Sequence, residues 1–107
     1  MNDQFMRLLL FYDLPMIEEK EKRIYNRFRK YLIRNGYMQI QFSVYSKIFS
    51  NRDSAIKHIS VLKNNLPSEG SVRTMLVTEK QYARMEVLVG SKSKLEEKIT
   101  PDAFLIF

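Results

Sequence analysis

An acidic residue stands where a run of apolar ones ends. Phe5-Met6-Arg7-Leu8-Leu9-Leu10-Phe11-Tyr12 leads directly into Asp13-Leu14-Pro15. A carboxylate at the end of a buried segment cannot turn into the core, because burying an unpaired charge is costly. It must reach solvent, a cation or a backbone partner. Two readings follow. Asp13 can hold Mg²⁺, which takes a few carboxylate oxygens and keeps several waters; such an ion polarises phosphate and lowers the pKa of a water nucleophile. Alternatively, Asp13 caps the turn into the next helix, as Asp does in Asx turns. One Asp is a poor metal site by itself, but two copies of the chain meeting with Asp13 near their symmetry axis would supply two carboxylates. Glu18, Glu19 and Glu21 follow closely, at a helix start where acids suit the dipole.

A second group is basic. At about 100° per residue, Lys20, Arg23, Arg27, Lys30 and Arg34 fall within an arc of roughly 80° on one helix face. They can neutralise successive phosphates, which makes binding steeply salt-dependent. The other reading is a solvated face with intrahelical pairs such as Glu19 with Arg23. The stripe lacks acids beyond its first turns, which favours phosphate, and Lys22 and Arg29 widen the basic surface. Gln41, Ser43 and Tyr45 form a third group on one face of a strand. They either hydrogen-bond a phosphate or order Asp13, or they are the polar alternation of an open sheet face. His58, the single histidine, lies off the apolar positions of its helix and reads as a surface residue. Walker, dinucleotide-binding, HExxH and nucleophile-elbow motifs are absent from the sequence.

The elements that must position these residues follow from periodicity. The run before Asp13 is too short for a typical helix and predicts a central strand buried on both faces. Pro15 disfavours helical geometry at Leu14. Ile17–Asn35 predicts a helix whose apolar face is Ile24, Tyr25, Phe28, Tyr31 and Leu32, with Gly36 as its C-terminal cap. Tyr37–Phe49 alternates with period two and predicts a half-buried strand, with a bend, bulge or second strand near Ser46. Asn51–Leu66 predicts a second helix, capped by Ser50 or Asn51, with Ala55, Ile59, Leu62 and Leu66 inward. Val72–Thr78 predicts a strand, Glu79–Ala83 a connection and Arg84–Val89 another short strand. Ser91–Asp102 reads as a mobile surface segment, and Ala103–Phe107 returns to apolar character. The sum is an open α+β sandwich, with helices over one face of a mostly antiparallel sheet.

The bulk numbers set outer limits. A chain of 107 residues with 45% apolar residues fits one domain, 1–107, with its core in 1–90 and a C-terminal segment in 91–107. So small a core gains from oligomerisation. There is no cysteine, which rules out disulfides and thiolate-bound zinc and suits a reducing compartment. The apolar start is too short to cross a membrane and has no cleavage site after it, which predicts a soluble cytoplasmic protein. A net charge of +6 favours polyanionic partners.

Four blocks together resemble the Cas-two family of CRISPR adaptation proteins. They are Leu8–Pro15, Tyr25–Leu32, Gly36–Tyr45 with its Gln-x-Ser-Val-aromatic signature, and Thr78–Tyr82 with Thr-Glu-x-Gln-aromatic. Order and spacing agree over nearly the whole chain, and the wording around Phe42–Lys47 is most similar to type II systems. The resemblance implies a ferredoxin-like βαββαβ homodimer with an extra C-terminal strand, near Ala103–Phe107, pairing across to the other subunit. It implies Mg²⁺ and catalysis at Asp13, nucleic-acid handling at Arg27, and supporting places for Tyr12 and Tyr45 near the acid. It also implies a partner, the CRISPR integrase subunit, in acquiring prespacer DNA. With that comes metal-dependent endonuclease activity on single-stranded RNA or double-stranded DNA, which can be dispensable in spacer acquisition. Gln39 departs from the pattern, standing where some relatives carry Arg. A non-catalytic nucleic-acid scaffold and a VapD-like toxin ribonuclease outside CRISPR are the competing readings.

Overall fold

Leu8, Leu10 and Tyr12 alternate with Arg7, Leu9 and Phe11 along the first strand, and this alternation fixes the two faces of the sheet. The computed structural model describes residues 4–90. Their order is β1 (Met6–Asp13), α1 (Glu19–Arg34), β2 (Met38–Gln41), β3 (Val44–Phe49), α2 (Arg52–Leu62), β4 (Ser71–Thr78) and α3 (Glu79–Ala83). The strands form one sheet in the order β2-β3-β1-β4, with every neighbouring pair antiparallel. This is the ferredoxin-like βαββαβ arrangement. The expected C-terminal strand at Ala103–Phe107 and the segment Ser91–Asp102 lie outside the described residues.

One face of β1 meets both long helices. Leu8, Leu10 and Tyr12 share a core with Tyr25, Phe28 and Leu32 of α1 and Ala55 and Leu62 of α2. The α1 face is the predicted one, with Ile24 and Tyr31 half-buried at its edges. Its start is capped by Glu21, whose carboxylate accepts from the N–H groups of Ile17 at 3.0 Å and Glu18 at 2.9 Å. The helix therefore does not use Asp13 as its cap. At the other end Gly36 has φ +87°. The Gly36 N–H donates to the Ile33 carbonyl at 3.2 Å and the Tyr37 N–H to the Leu32 carbonyl at 3.0 Å, a Schellman closure that glycine accommodates without strain.

The other face of β1 is covered at one end only. Arg7, 2% exposed, donates to both Glu79 carboxylate oxygens, at 2.7 and 3.1 Å. Its guanidinium carbon stands 4.2 Å from the centre of the Tyr82 ring. This pair docks α3 against the sheet, and the Glu79 N–H adds a bond to the Phe5 carbonyl at 3.0 Å.

Four expectations are corrected. Tyr37–Phe49 is a hairpin that turns at Phe42-Ser43, rather than one strand broken near Ser46, with a register shift between Gln39 and Gln41. The described residues contain no non-glycine residue at positive φ, so this turn lacks the Asn/Gly signature of the common two-residue hairpins. The second helix ends at Leu62 and leaves Leu66 half-exposed beyond it. There Asn64 and Asn65 donate their side-chain amides back to the carbonyls of Ser60 and Val61, an alternative to continuing the helix. Glu79–Ala83 is a helical turn rather than an irregular connection. Thr78 and Gln81 bond reciprocally at 3.1 and 2.9 Å, which is a capping box. Arg84–Val89 is not a strand, because no strand among the described residues pairs with it and β-prone composition alone cannot hold one.

Candidate nucleic-acid and metal site

Asp13 closes β1 on the face that α1 and α2 leave open. The β1–β4 register sets Asp13 opposite Ser71 and Phe11 opposite Arg73. Opposed residues share a face, so Asp13 and Arg73 are diagonal neighbours, about 7–8 Å apart at the backbone by standard sheet spacing. Both side chains are exposed, and neither forms an ion pair among the described residues. Together with Phe11, Ser43 and Met75 they line a cavity of about 640 Å³.

The strand end is held from behind by a tight contact. Gly70 has φ +100°, and a Cβ there would stand 2.7 Å from the Asp13 carbonyl oxygen and 2.8 Å from Cε1 of Tyr12. Only glycine combines that backbone conformation with so close an approach. Ser43, in the hairpin turn, accepts the Tyr12 N–H through its carbonyl at 2.9 Å, which brings its side chain to the cavity.

Tyr12 lines this cavity too, although its ring packs toward α1, whereas Tyr45 does not line it. Tyr12 stacks on Tyr25 with ring centres 5.4 Å apart and meets Phe28 edge-on. Its hydroxyl donates to the Glu69 carbonyl at 3.2 Å, and burial raises its pKa. Tyr45 is fully buried, with its hydroxyl 3.1 Å from that of Tyr25, and burial followed by this hydrogen bond pushes its pKa up. Tyr25 in turn donates to the Phe42 carbonyl. Both rings therefore face the helix layer and brace the hairpin behind the cavity. Gln41, Ser43 and Tyr45 consequently do not share one strand face, because the turn separates them. His58 is half-buried, not a surface residue: its Nε2 lies 2.7 Å from the Tyr37 hydroxyl and its ring leans on Phe49. Burial, then the Lys47 cation, lowers its pKa.

The basic stripe is a single exposed face of α1, with Lys20, Arg23, Arg27, Lys30 and Arg34 all open to solvent. Lys20 reaches Glu69 at 3.5 Å. This pair is exposed and weak. The other four make no ion pair among the described residues.

Arg73 was not singled out by sequence. Its place beside Asp13 depends on the β1–β4 register, which a period-two pattern in β4 alone does not reveal. As for a metal, the described residues hold no group of three or more His, Cys, Asp or Glu side chains able to grip an ion. Mg²⁺ is bound elsewhere in biology through one or two carboxylates plus waters and substrate phosphates. Asp13, exposed and with the hydroxyls of Ser43 and Ser71 at the same cavity, fits the one-carboxylate minimum of such a site.

The family described as CRISPR associated protein Cas2 matches this chain over residues 6–85. The chain belongs to the Cas2 family. The relatives it is similar to include a CRISPR-associated endoribonuclease Cas2 of Acidovorax ebreus, 47% identical over 102 residues and covering 95% of this chain and 100% of the relative. A second, so named in Treponema denticola, is 44% identical, covering 94% of this chain and 99% of the relative. A third, from Streptococcus mutans, is 41% identical, covering 81% and 80%. The Cas2 match runs from the start of β1 to just past α3, so it takes in Asp13, Ser43, Arg73 and the whole α1 stripe. No helix among the described residues of this Cas2 chain is long and apolar enough to cross a membrane.

Proposed function

We propose that the protein acts as a homodimer in CRISPR spacer acquisition, bridging prespacer DNA to the integrase, with Mg²⁺-dependent phosphodiester cleavage centred on Asp13. The observation that carries this reading is an exposed carboxylate beside an exposed guanidinium, Asp13 and Arg73, neither in an ion pair among the described residues, on the sheet face that the long helices do not cover. Phe11 at 37% and Met75 at 56% exposure border them. An exposed apolar rim around polar groups suits a second copy of the chain. Two sheets meeting there would bring two Asp13 side chains toward one axis.

In that dimer Asp13 would hold the ion, with waters completing its shell. Mg²⁺, when bound, supplies Lewis-acid polarisation of phosphate and an acidified water. Arg73 would take a non-bridging phosphate oxygen, where its fork geometry is best used, and Ser43 would donate a hydroxyl to the same group. The α1 stripe would carry the flanking phosphates of the backbone.

A scaffold without cleavage is the second reading, favoured by the single carboxylate each chain brings to the site. Cleavage of single-stranded RNA and of duplex DNA with Mg²⁺, by the native protein and by Asp13→Asn, separates the two. Loss of Mg²⁺-dependent cleavage in Asp13→Asn with DNA binding retained supports the nuclease. Native protein that binds DNA and captures the integrase without cutting supports the scaffold. Cleavage of RNA with no integrase capture would remove the adaptation role and favour a stand-alone toxin ribonuclease.

A further inference from the structure

A second cavity, of about 340 Å³, lies on the helix side of the sheet, between α1 and the 63–70 connection. Arg27, Tyr31 and Arg34 form one wall, and Leu66, Pro67 and Ser68 form the other. The three α1 residues are spaced i, i+4, i+7, so they lie along one helix face. The two arginines sit about two turns, roughly 10 Å, apart along the axis, with the tyrosine between them. Tyr31 is half-buried, with its ring parallel to that of Phe28 and the centres 6.1 Å apart. Neither arginine has a carboxylate partner among the described residues. The groove thus places an aromatic ring between two unneutralised guanidinium groups, beside the apolar surface of Leu66 and Pro67.

We propose that this groove binds an unpaired nucleotide of single-stranded nucleic acid, with its base against Tyr31 and its flanking phosphates at Arg27 and Arg34. The volume is at the low end for small-ligand pockets, which suits one nucleotide and not a duplex. A base inside a duplex is stacked on its neighbours and cannot enter, whereas an unpaired base presents its π-face. Aromatic stacking with backbone-tracking cations is the standard physics of single-strand binding. The inference rests on the nucleic-acid reading of α1, and is independent of any chemistry at Asp13, which opens on the opposite face of the sheet.

Fluorescence anisotropy with the full chain tests it, using three labelled probes: a short oligothymidylate, the same oligomer with abasic sites, and a blunt duplex. The native protein is expected to bind the intact oligomer more tightly than the abasic one by roughly 5- to 150-fold, the span of stacking on an aromatic side chain. Tyr31→Leu should erase that difference while leaving duplex affinity within about twofold, and Tyr31→Phe should keep it, since both rings stack. Arg27→Gln and Arg34→Gln should each flatten the single-strand salt slope by roughly 0.7. Equal affinity of the native protein for intact and abasic oligomers overturns the proposal without recourse to any variant. So does a base preference that survives Tyr31→Leu, or displacement of the oligomer by polyglutamate of matched charge as readily as by itself. If base preference is absent while duplex binding and integrase capture persist, the groove fails and the adaptation role stands. If no nucleic acid binds at low salt, both fall.

Discussion

The Arg7–Glu79 pair makes a quantitative case. Its two hydrogen bonds, at 2.7 and 3.1 Å, are bidentate. Arg7 is 2% exposed and Glu79 9%, and Arg7 also reaches the Ser46 hydroxyl at 3.4 Å. Removing one partner of a buried pair leaves an uncompensated charge and typically costs about 3–5 kcal/mol. Replacing both with apolar residues of similar volume is often neutral or stabilising. Glu79→Leu and Arg7→Met are therefore each expected to lose about 3 kcal/mol or more, and the double variant to fall within about 1 kcal/mol of the native protein. At about 4–8 °C per kcal/mol for a small domain, each single change lowers Tm by roughly 12–24 °C. The assay is urea unfolding followed by circular dichroism, at one fixed protein concentration because the proposed dimer would make stability depend on it. A double variant as unstable as the sum of the two singles would refute the reasoning, since the cost would then lie in lost packing and not in an orphaned charge. Loss of α3 signal without loss of the sheet would confine the pair's role to docking that helix.

Gly70→Ala should destabilise by about 1–3 kcal/mol, combining strain at positive φ with the clash on Asp13 and Tyr12; calorimetry reads it, and a neutral result would deny the contact. His58 has a folded pKa below its unfolded value of about 6.5, so the unfolded chain takes up the proton first and stability falls as pH drops below about 6.5 toward the folded pKa. His58→Gln should flatten that part of the stability–pH curve relative to the native protein. Asn51→Ala removes the acceptor for the Ser54 N–H and should cost about 1 kcal/mol in urea unfolding. Arg73→Gln should weaken duplex binding and reduce its salt slope by about 0.9 while leaving Tm nearly unchanged, because the side chain is exposed and has no ion pair among the described residues.

Much of the architecture was legible before any coordinates. The apolar run of β1 was plain because it is too short for a helix and Pro15 stops it; the expected burial on both faces fails at its far end, where Phe11 and Asp13 lie open. The α1 face and Gly36 cap were equally plain, being set by local rotation and by a backbone position that glycine relieves. The Phe42-Ser43 turn was hidden because it carries neither glycine nor asparagine, and its alternation looks continuous with the strands on either side. The short α3 was hidden because its capping box spans only Thr78–Gln81 and its anchor, Arg7, is distant in the chain. Arg73 could not be placed beside Asp13 without the pairing of β1 with β4, which depends on the assembled sheet. The inward turn of Tyr12 and Tyr45 likewise follows from which face α1 covers, a fact of packing and not of spacing.

The connection from α2 to β4 carries a length restriction unusual for a surface loop. Loops of this kind ordinarily absorb insertions at small entropic cost. Here the Glu69 carbonyl receives the Tyr12 hydroxyl, Gly70 touches the main chain of Asp13, and Pro67 and Ser68 wall the cavity against α1. One added residue would shift all three at once. Engineered variants that carry tags or extra segments should therefore keep this stretch intact.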